Sequence, residues 1–508
     1  MYFNLLVCPI LSINLILATW QKALVAALLL LFACFFLMAM SKKRAYSLIL
    51  LFLVVAMSLQ SVSAAAPDVH LNYSKSQKKP LASDNPLPHH LLSKDGKNVV
   101  IIMLDRAQAV LLPYLFKEKP ELQKQFAGFT YYSNVISYGT STNFGAPALF
   151  GGYEYTPIEL NRRKDEPLVN KHNEALKVMP AIFYGSKFDV TVCDPVYANY
   201  RWDPDLSIYN SYPGMKTYNA YEKFTGANVK PKIIKGQRRL NGSGQADLCT
   251  RYDKYYANNF NAKFMHNYNV LFNLPRITGV SYDNRYTFLM MTNDLPHQPE
   301  LLQMPDYLPA LSIDNRNFEQ NNDERFTIGD NKLRISNEDH YGHYHVNMLT
   351  MILIGRWLDY LRSCDVYDNT RIILVADHGR DMFLLESLEL RTRIERIDVG
   401  GFYPLLMVKD FGSSEYSVSD EFMTNADVPT LATAGLISKP INPFTGKIIN
   451  SDEKTAHPQY VIASKEWDTS INNGHTFLPS VWLTVQDNIW DKDNWKVVSE
   501  GGVLPKEG

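Results

Sequence analysis

Two apolar runs that end on acids constrain the fold of this chain more than any other feature. Val99-Val100-Ile101-Ile102-Met103-Leu104 leads straight into Asp105, and Arg371-Ile372-Ile373-Leu374-Val375-Ala376 leads into Asp377-His378-Gly379. Strands that are apolar at nearly every position belong to sheets covered on both faces. Such sheets hold their ligands at the carboxyl ends of the strands. The two acids and the imidazole therefore stand where a site is expected. Further strand-like runs occur at residues 131–137, 188–193, 287–292, 404–408 and 460–464. The clearest helical pattern, residues 346–362, lines Met348, Met351, Ile352, Ile354, Leu358 and Leu361 along one side. Strands alternating with helices predict an α/β sandwich. No internal repeat is visible.

A third segment supplies hydroxyls: Gly139-Thr140-Ser141-Thr142-Asn143-Phe144-Gly145-Ala146-Pro147. Two Asp, one His and a hydroxyl make a nitrogen/oxygen cage suited to a divalent metal. A threonine hydroxyl is a poor nucleophile at neutral pH, and coordination to a metal is one way to activate it. Each residue has a plainer role too. Asp105 suits the cap of a helix beginning near Ala107, residues 140–142 suit a hydroxyl-rich turn, and Asp377-His378 suit a buried hydrogen-bonded turn. The metal reading is preferred for Asp105, Thr142, Asp377 and His378, with Thr142 as nucleophile and Thr140 in reserve.

In this order the three segments resemble the alkaline phosphatase/sulfatase superfamily, and within it the membrane-bound transferases of lipid phosphate headgroups. Phosphoethanolamine transferases carry a Gly-Thr-Ser-Thr segment followed by a proline, and Thr142 and Pro147 keep that spacing. They and the lipoteichoic acid synthases also carry an apolar strand ending in an acid and a later Asp-His-Gly. The resemblance spans roughly residues 97–447. It implies a sulfatase-like three-layer sandwich with a mixed, mostly parallel sheet. It also implies one divalent metal, Zn²⁺ or Mn²⁺ with Mg²⁺ a further candidate, and a covalent phosphothreonine intermediate. His297, in Asp294-Leu295-Pro296-His297, resembles the family's substrate-facing histidine; the alternative is a loop histidine held by local hydrogen bonds.

Departures from the family narrow the expectation. Arg106 follows Asp105 where many phosphatases and sulfatases place a second acid, which favours one metal over two. No Cys/Ser-x-Pro-x-Arg motif surrounds Thr142, which disfavours sulfate ester hydrolysis. Phosphoethanolamine transferases flank the nucleophile with paired cysteines, whereas this chain has Tyr138 and Ala148. No histidine follows His378 closely, which weakens phosphoethanolamine as the particular substrate.

The first 66 residues carry apolar runs at 5–20, 23–40 and 45–65, each near the ~20 residues that cross a bilayer. The cluster Ser41-Lys42-Lys43-Arg44 between the second and third runs is assigned to the cytoplasm by the positive-inside rule. The expected organisation is therefore transmembrane helices in residues 1–66, then a linker at 67–97 containing His70, His89 and His90. A catalytic domain at 98–440 and a small carboxyl-terminal subdomain at 441–508 complete it. In this reading the catalytic part faces outward, across the cytoplasmic membrane. The third run also imitates a secretory signal ending near Val62-Ser63-Ala64, and either reading exports the catalytic part. Residues 230–253 are expected to be an exposed insertion.

With 51 basic and 52 acidic residues, the chain has no field that favours nucleic acid. An exported domain permits a disulfide among Cys193, Cys249 and Cys364. His340, His343 and His345 are read as helix-start packing rather than a metal site; Arg162 or Arg163 could clamp a phosphate bidentately, but ordinary surface arginines are the preferred reading. Aromatic residues such as Tyr197, Tyr200 and Trp202 fit a packed subdomain or a sugar- or lipid-facing surface. The leading expectation is an exported, membrane-anchored phosphotransferase or phosphodiesterase acting on a surface lipid or glycan headgroup. The alternatives are a hydrolase of phosphate or sulfate esters, a catalytically silent regulatory protein of the same fold and, last, a membrane assembly component.

Overall fold

The strand that runs into Asp105 lies in the interior of the sheet that organises the molecule. The computed structural model describes residues 90–220, 249–251, 262–310, 312–391, 396–464 and 466–502. They belong to one compact unit, Pro86–Gly508. The central strand, β1 (Asn98–Leu104), is buried at every residue, which requires cover on both faces of the sheet. The other strands are β2 (Phe129–Tyr132), β3 (Asp189–Cys193), β4 (Lys216–Tyr218), β5 (Thr287–Asn293), β6 (Thr370–Val375), β7 (Leu406–Lys409) and β8 (Ser417–Ser419). They form an eight-stranded sheet in the order β8-β2-β7-β6-β1-β5-β3-β4. Both pairings of β7 are antiparallel and all others are parallel, so β7 alone runs the opposite way. This is the mixed, mostly parallel sheet the sequence predicts.

Register decides what the sheet presents at its edge. Met103 of β1 pairs with Val375 and with Thr292, and Leu104 pairs with Asn293. Asp105, the segment Ala376-Asp377-His378 and Asp294 therefore leave the sheet together at one carboxyl edge. Helix α1 (Thr142–Gly151) brings Thr142 to the same place. Helix α2 (Leu168–Gly185) packs on α1 and β3, and α3 (Ala262–Phe272) packs on β5 and on α4 (Glu338–Ser363). The apolar pattern at 346–362 marks only the later part of α4. Its first turn is polar, and Asn337 caps it by accepting from the His340 N–H at 2.9 Å.

A smaller antiparallel sheet of β9 (Gln459–Ala463), β10 (Ser480–Val485) and β11 (Lys496–Gly502) lies behind the segment that carries Thr142. The Ile462 N–H donates to the Tyr138 carbonyl at 3.0 Å, and the Tyr138 hydroxyl donates to Gln459 Oε1 at 2.7 Å. Ile462 and Trp482 share an apolar cluster with Phe144 and Tyr155. Phe477 meets the Phe144 ring edge-on at 4.9 Å.

One expectation is corrected here. His90, read as linker, begins a strand, His90–Ser93, that pairs in parallel with Thr278–Ser281. It is buried, and its Nε2 lies 2.8 Å from Thr278 Oγ1. The short strand has no periodicity of its own, and a partner far along the chain fixes it. The apolar runs before residue 66, His70, His89 and nearly all of residues 230–253 lie outside the described residues. Among the described residues, no helix is long and apolar enough to cross a membrane.

Two contacts lock the functional edge. Gly145 lies so close to the loop after β6 that a Cβ there would sit 2.0 Å from the Asp377 carbonyl oxygen. The Asn425 side-chain amide donates to the Gly145 and Asp377 carbonyls at 3.1 and 2.9 Å. Gly145→Ala is expected to cost about 1–3 kcal/mol by overpacking, read from the denaturation midpoint. An unchanged midpoint would show that α1 can withdraw freely.

The loop after β3 is held by α2. His172 donates from Nε2 to the Val196 carbonyl at 2.9 Å and meets the Tyr200 ring edge-on at 5.4 Å. Burial pushes the His172 imidazole down to about 4. Between that value and the unfolded value near ~6.5, the unfolded chain binds a proton that the folded chain refuses. Stability from this residue is thus complete above the unfolded value and is lost as pH falls toward the folded one, by up to about 3 kcal/mol. His172→Gln keeps a donor for Val196, and its stability is expected to fall less over this interval. Parallel pH profiles for the two proteins would refute the assignment.

Candidate metal centre

Four ligand-type atoms converge at the sheet edge. His378 Nε2 lies 3.5 Å from Thr142 Oγ1, 3.6 Å from Asp377 Oδ2 and 3.8 Å from Asp105 Oδ1. The Asp105, Asp377 and His378 ligand atoms all fall within 4.8 Å of one another, and all three residues are buried. A tetrahedral ion with bonds near ~2.1 Å holds its ligand atoms about 3.4 Å apart, close to these spacings. Asp105 Oδ1 and Asp377 Oδ2 are buried without a hydrogen-bond partner. Buried carboxylate oxygens are normally satisfied, so this pair fits a cation between them.

Neighbouring groups orient these atoms for that role. His378 Nδ1 lies 2.6 Å from the Gly379 carbonyl, which fixes the proton on Nδ1 and leaves the Nε2 lone pair facing the cluster. Burial lowers the basicity of His378 against the opposing pull of Asp377, so the imidazole is neutral. The Asp105 carboxyl is held well above its usual range by burial, then by Asp377 and Asp294, with Arg106 and Lys263 opposing. Asp105 caps no helix; the turn beyond it, Ala109–Leu111, begins after Gln108. Arg106 adopts a left-handed backbone, φ 62°, and its N–H donates to Asp377 Oδ1 at 3.2 Å. Its guanidinium donates to the His297 carbonyl at 3.3 Å and places a positive charge beside the carboxylates.

The cluster lies in the wall of a cavity of about 720 Å³. His297 lines it, with Nε2 4.0 Å from Asp105 Oδ1 and Nδ1 3.0 Å from Gln298 Nε2. The Gln298 amide can only donate to Nδ1, which leaves the proton on Nε2, facing the cavity. Burial, Arg106 and Lys263 push the His297 imidazole well below its ordinary value, so it is a neutral donor.

Sequence reasoning missed several cavity residues. Lys263, on α3, pairs with Asp294 at 2.8 Å. Burial opposes its charge, but Asp294 and Asp105 overcome burial and raise its basicity. His266 comes one turn later, and burial pushes it down to about 4. No motif marks either residue. Asn143, next to Thr142, is buried with neither amide atom partnered. The motif contained it, but its chemistry shows only once it is seen to line the cavity.

Other candidates stay apart. Arg162 pairs with Glu159, and Arg163 with Glu166 and Glu174; neither lines the cavity, so neither is placed to clamp a phosphate there. Thr140 faces Gly401, not the cavity. The α4 histidines face separate partners: His340 the Arg334 carbonyl, His343 Asp339, and His345 the Leu302 N–H and Glu319. Cys193 and Cys364 are free thiols.

No protein-family model and no curated protein sequence matches the chain. Among solved structures, it is similar to the lipoteichoic acid synthase LtaP from Listeria monocytogenes, at 11% identity over 81% of this chain and 87% of that one, with a TM-score of 0.40. It is similar to the phosphonate monoester hydrolase SpPMH from Silicibacter pomeroyi at 13% identity, over 77% and 85% of the two chains, with a TM-score of 0.39. The zinc complex of the periplasmic domain of EcEptC from Escherichia coli matches at 11% identity, over 72% and 89%, with a TM-score of 0.39.

Proposed function

We propose that this chain is a phosphotransferase or phosphodiesterase that works through Thr142 with one divalent metal ion. One observation carries the reading. Four ligand-type atoms converge at tetrahedral spacing, and two of them are buried carboxylate oxygens without partners. Asp105, Thr142, Asp377 and His378 would hold the ion, and an oxygen-rich set with one imidazole suits Zn²⁺ or Mn²⁺, with Mg²⁺ next. When bound, such an ion would lower the pKa of the threonine hydroxyl and offset charge on the phosphoryl oxygens.

The chain's own groups supply the rest. Thr142 Oγ1, in the first turn of α1, attacks phosphorus opposite the leaving oxygen. The bond to that oxygen breaks as the Thr142–phosphorus bond forms. Helix N–H groups at that end of α1 and the Asn143 amide face the phosphoryl oxygens, an arrangement suited to anions. Lys263 and Arg106 add positive charge, and neutral His297 hydrogen-bonds the leaving oxygen through its Nε2–H; the Thr142 proton passes to water, and the leaving oxygen takes its proton from water. An acceptor hydroxyl or water then displaces Thr142 in a second in-line step. The proposal extends to place. The apolar runs before residue 66 and the cluster at 42–44 support a membrane anchor with the site on the outer side, acting on a surface lipid or glycan.

Metal analysis of the purified full-length chain is expected to give about one divalent ion per chain, and Asp377→Asn to lose it. The same substitution removes one of two carboxylates buried side by side. The metal-free variant is therefore expected to melt above the metal-free wild type; a lower melting point would mean the pair is not under electrostatic strain. Incubation with a phosphodiester such as bis-p-nitrophenyl phosphate is expected to leave a phosphate-bearing adduct on Thr142 that Thr142→Ala lacks. Product analysis with an added acceptor alcohol then separates transfer from hydrolysis. Metal-loaded protein that forms no adduct and releases no nitrophenol would sink the enzymatic reading.

A further inference from the structure

Where the metal-side residues are buried, the outer rim of the same cavity exposes large aromatic rings. Trp202 is 62% exposed and Trp467 is 44% exposed, although both line the cavity. Exposing two tryptophans forgoes a large burial gain, and aromatic surface left open beside a cavity usually meets a ligand. The rings are fixed. Trp202 meets Tyr197 edge-on at 5.3 Å and 90°, and Trp467 at 6.1 Å and 79°. The Lys263 ammonium lies 5.5 Å from the centre of the Trp202 ring, which ties the rim to the charged floor.

Both loops that carry the rings are held in place. Tyr197, Asn199 and Tyr200 take left-handed backbone angles of 52°, 55° and 54°, and Asn199 and Asn173 bond each other through side chain and backbone. Such angles persist only where surrounding contacts enforce them. Trp467 comes from the loop after β9, where the Asn472 N–H donates to the Asp468 carbonyl at 2.9 Å and Thr469 reaches the Tyr200 carbonyl.

The mixture of surfaces selects the occupant. Beside the tryptophans, the charged and amide groups of Asp203, Gln298, Asp294 and Lys263 line the cavity together with Val196 and Pro204. An acyl chain entering here would strip water from charged groups without replacing their hydrogen bonds. A pyranose ring offers an apolar C–H face to an indole and hydroxyls to carboxylates and amides.

We infer that Trp202 and Trp467 form a subsite for a hexopyranose ring, so that the group bearing the reacting phosphate, or accepting it, is a sugar. This rests on the phosphotransfer reading above, and the test separates the two.

The experiment measures equilibrium binding to the full-length chain carrying Thr142→Ala, so that no ester is consumed, using only samples whose bound metal, held by the remaining Asp105, Asp377 and His378, has been quantified at about one ion per chain. The probes are inorganic phosphate, glycerol 3-phosphate, glucose 6-phosphate and dioctanoyl phosphatidic acid. Glucose 6-phosphate is expected to bind about tenfold more tightly than glycerol 3-phosphate, the scale of one aromatic stacking contact. That ratio is expected to collapse toward one in both Trp202→Ala and Trp467→Ala and to survive in Trp202→Phe, which keeps an aromatic face. Equal binding of the two esters, unmoved by either tryptophan change while phosphate still binds, overturns the sugar subsite and leaves the phosphotransfer reading intact. A preference for the dioctanoyl ester that depends on the tryptophans overturns it in favour of a lipid. Failure of the protein to bind phosphate or any ester overturns both readings.

Discussion

Two carboxylates buried side by side are difficult to keep ionised, because each is out of water and each repels the other. Asp105 meets that difficulty beside Asp377, and each carboxyl has one oxygen without a hydrogen bond. Much of the surrounding structure answers that difficulty. The His378 proton is held away from the pair by the Gly379 carbonyl. The left-handed turn at Arg106 aims a backbone N–H at the other Asp377 oxygen. Lys263 and Arg106 stand off at the cavity wall, where they temper the charge but leave the converging oxygens unpaired. A fold that only needed stability would have replaced the pair with apolar groups.

The same constraint explains the crowding beneath the site. To bring Thr142 to the carboxylates, α1 must approach the chain after β6 more closely than any side chain at Gly145 would permit. The Asn425 amide then binds both carbonyls at that contact. From behind, Phe477 and Ile462 press on Phe144 and on the backbone at Tyr138. Tyr138 ties the segment to β9 through its carbonyl and its hydroxyl.

Much of this was legible in the sequence, for a local reason. Interior strands of a doubly covered sheet are apolar throughout, and the acid after each run marks where the strand leaves it. Asp105, Asp377 and His378 were therefore readable from their immediate neighbours, as was Thr142 from its segment. What stayed hidden depends on register or on distant partners. Lys263 and His266 reach the site only because α3 packs on β5. Trp202 and Trp467 meet across two loops far apart in the chain, and His90 becomes a strand only when Thr278 is present to pair with it. The α4 histidines show the converse: a suggestive spacing dissolved once each ring found its own neighbour.

The tie between Tyr138 and Ile462 bears on how the protein comes into being. A chain made and delivered from its amino end exposes the nucleophile segment long before the residues that brace it exist. Thr142 can be braced from behind only after β9 and β10 have emerged and folded back. Until then, the chain carries its reactive residues without a working arrangement of them. The residues of the site are thus all present in the chain before the support that arranges them is complete.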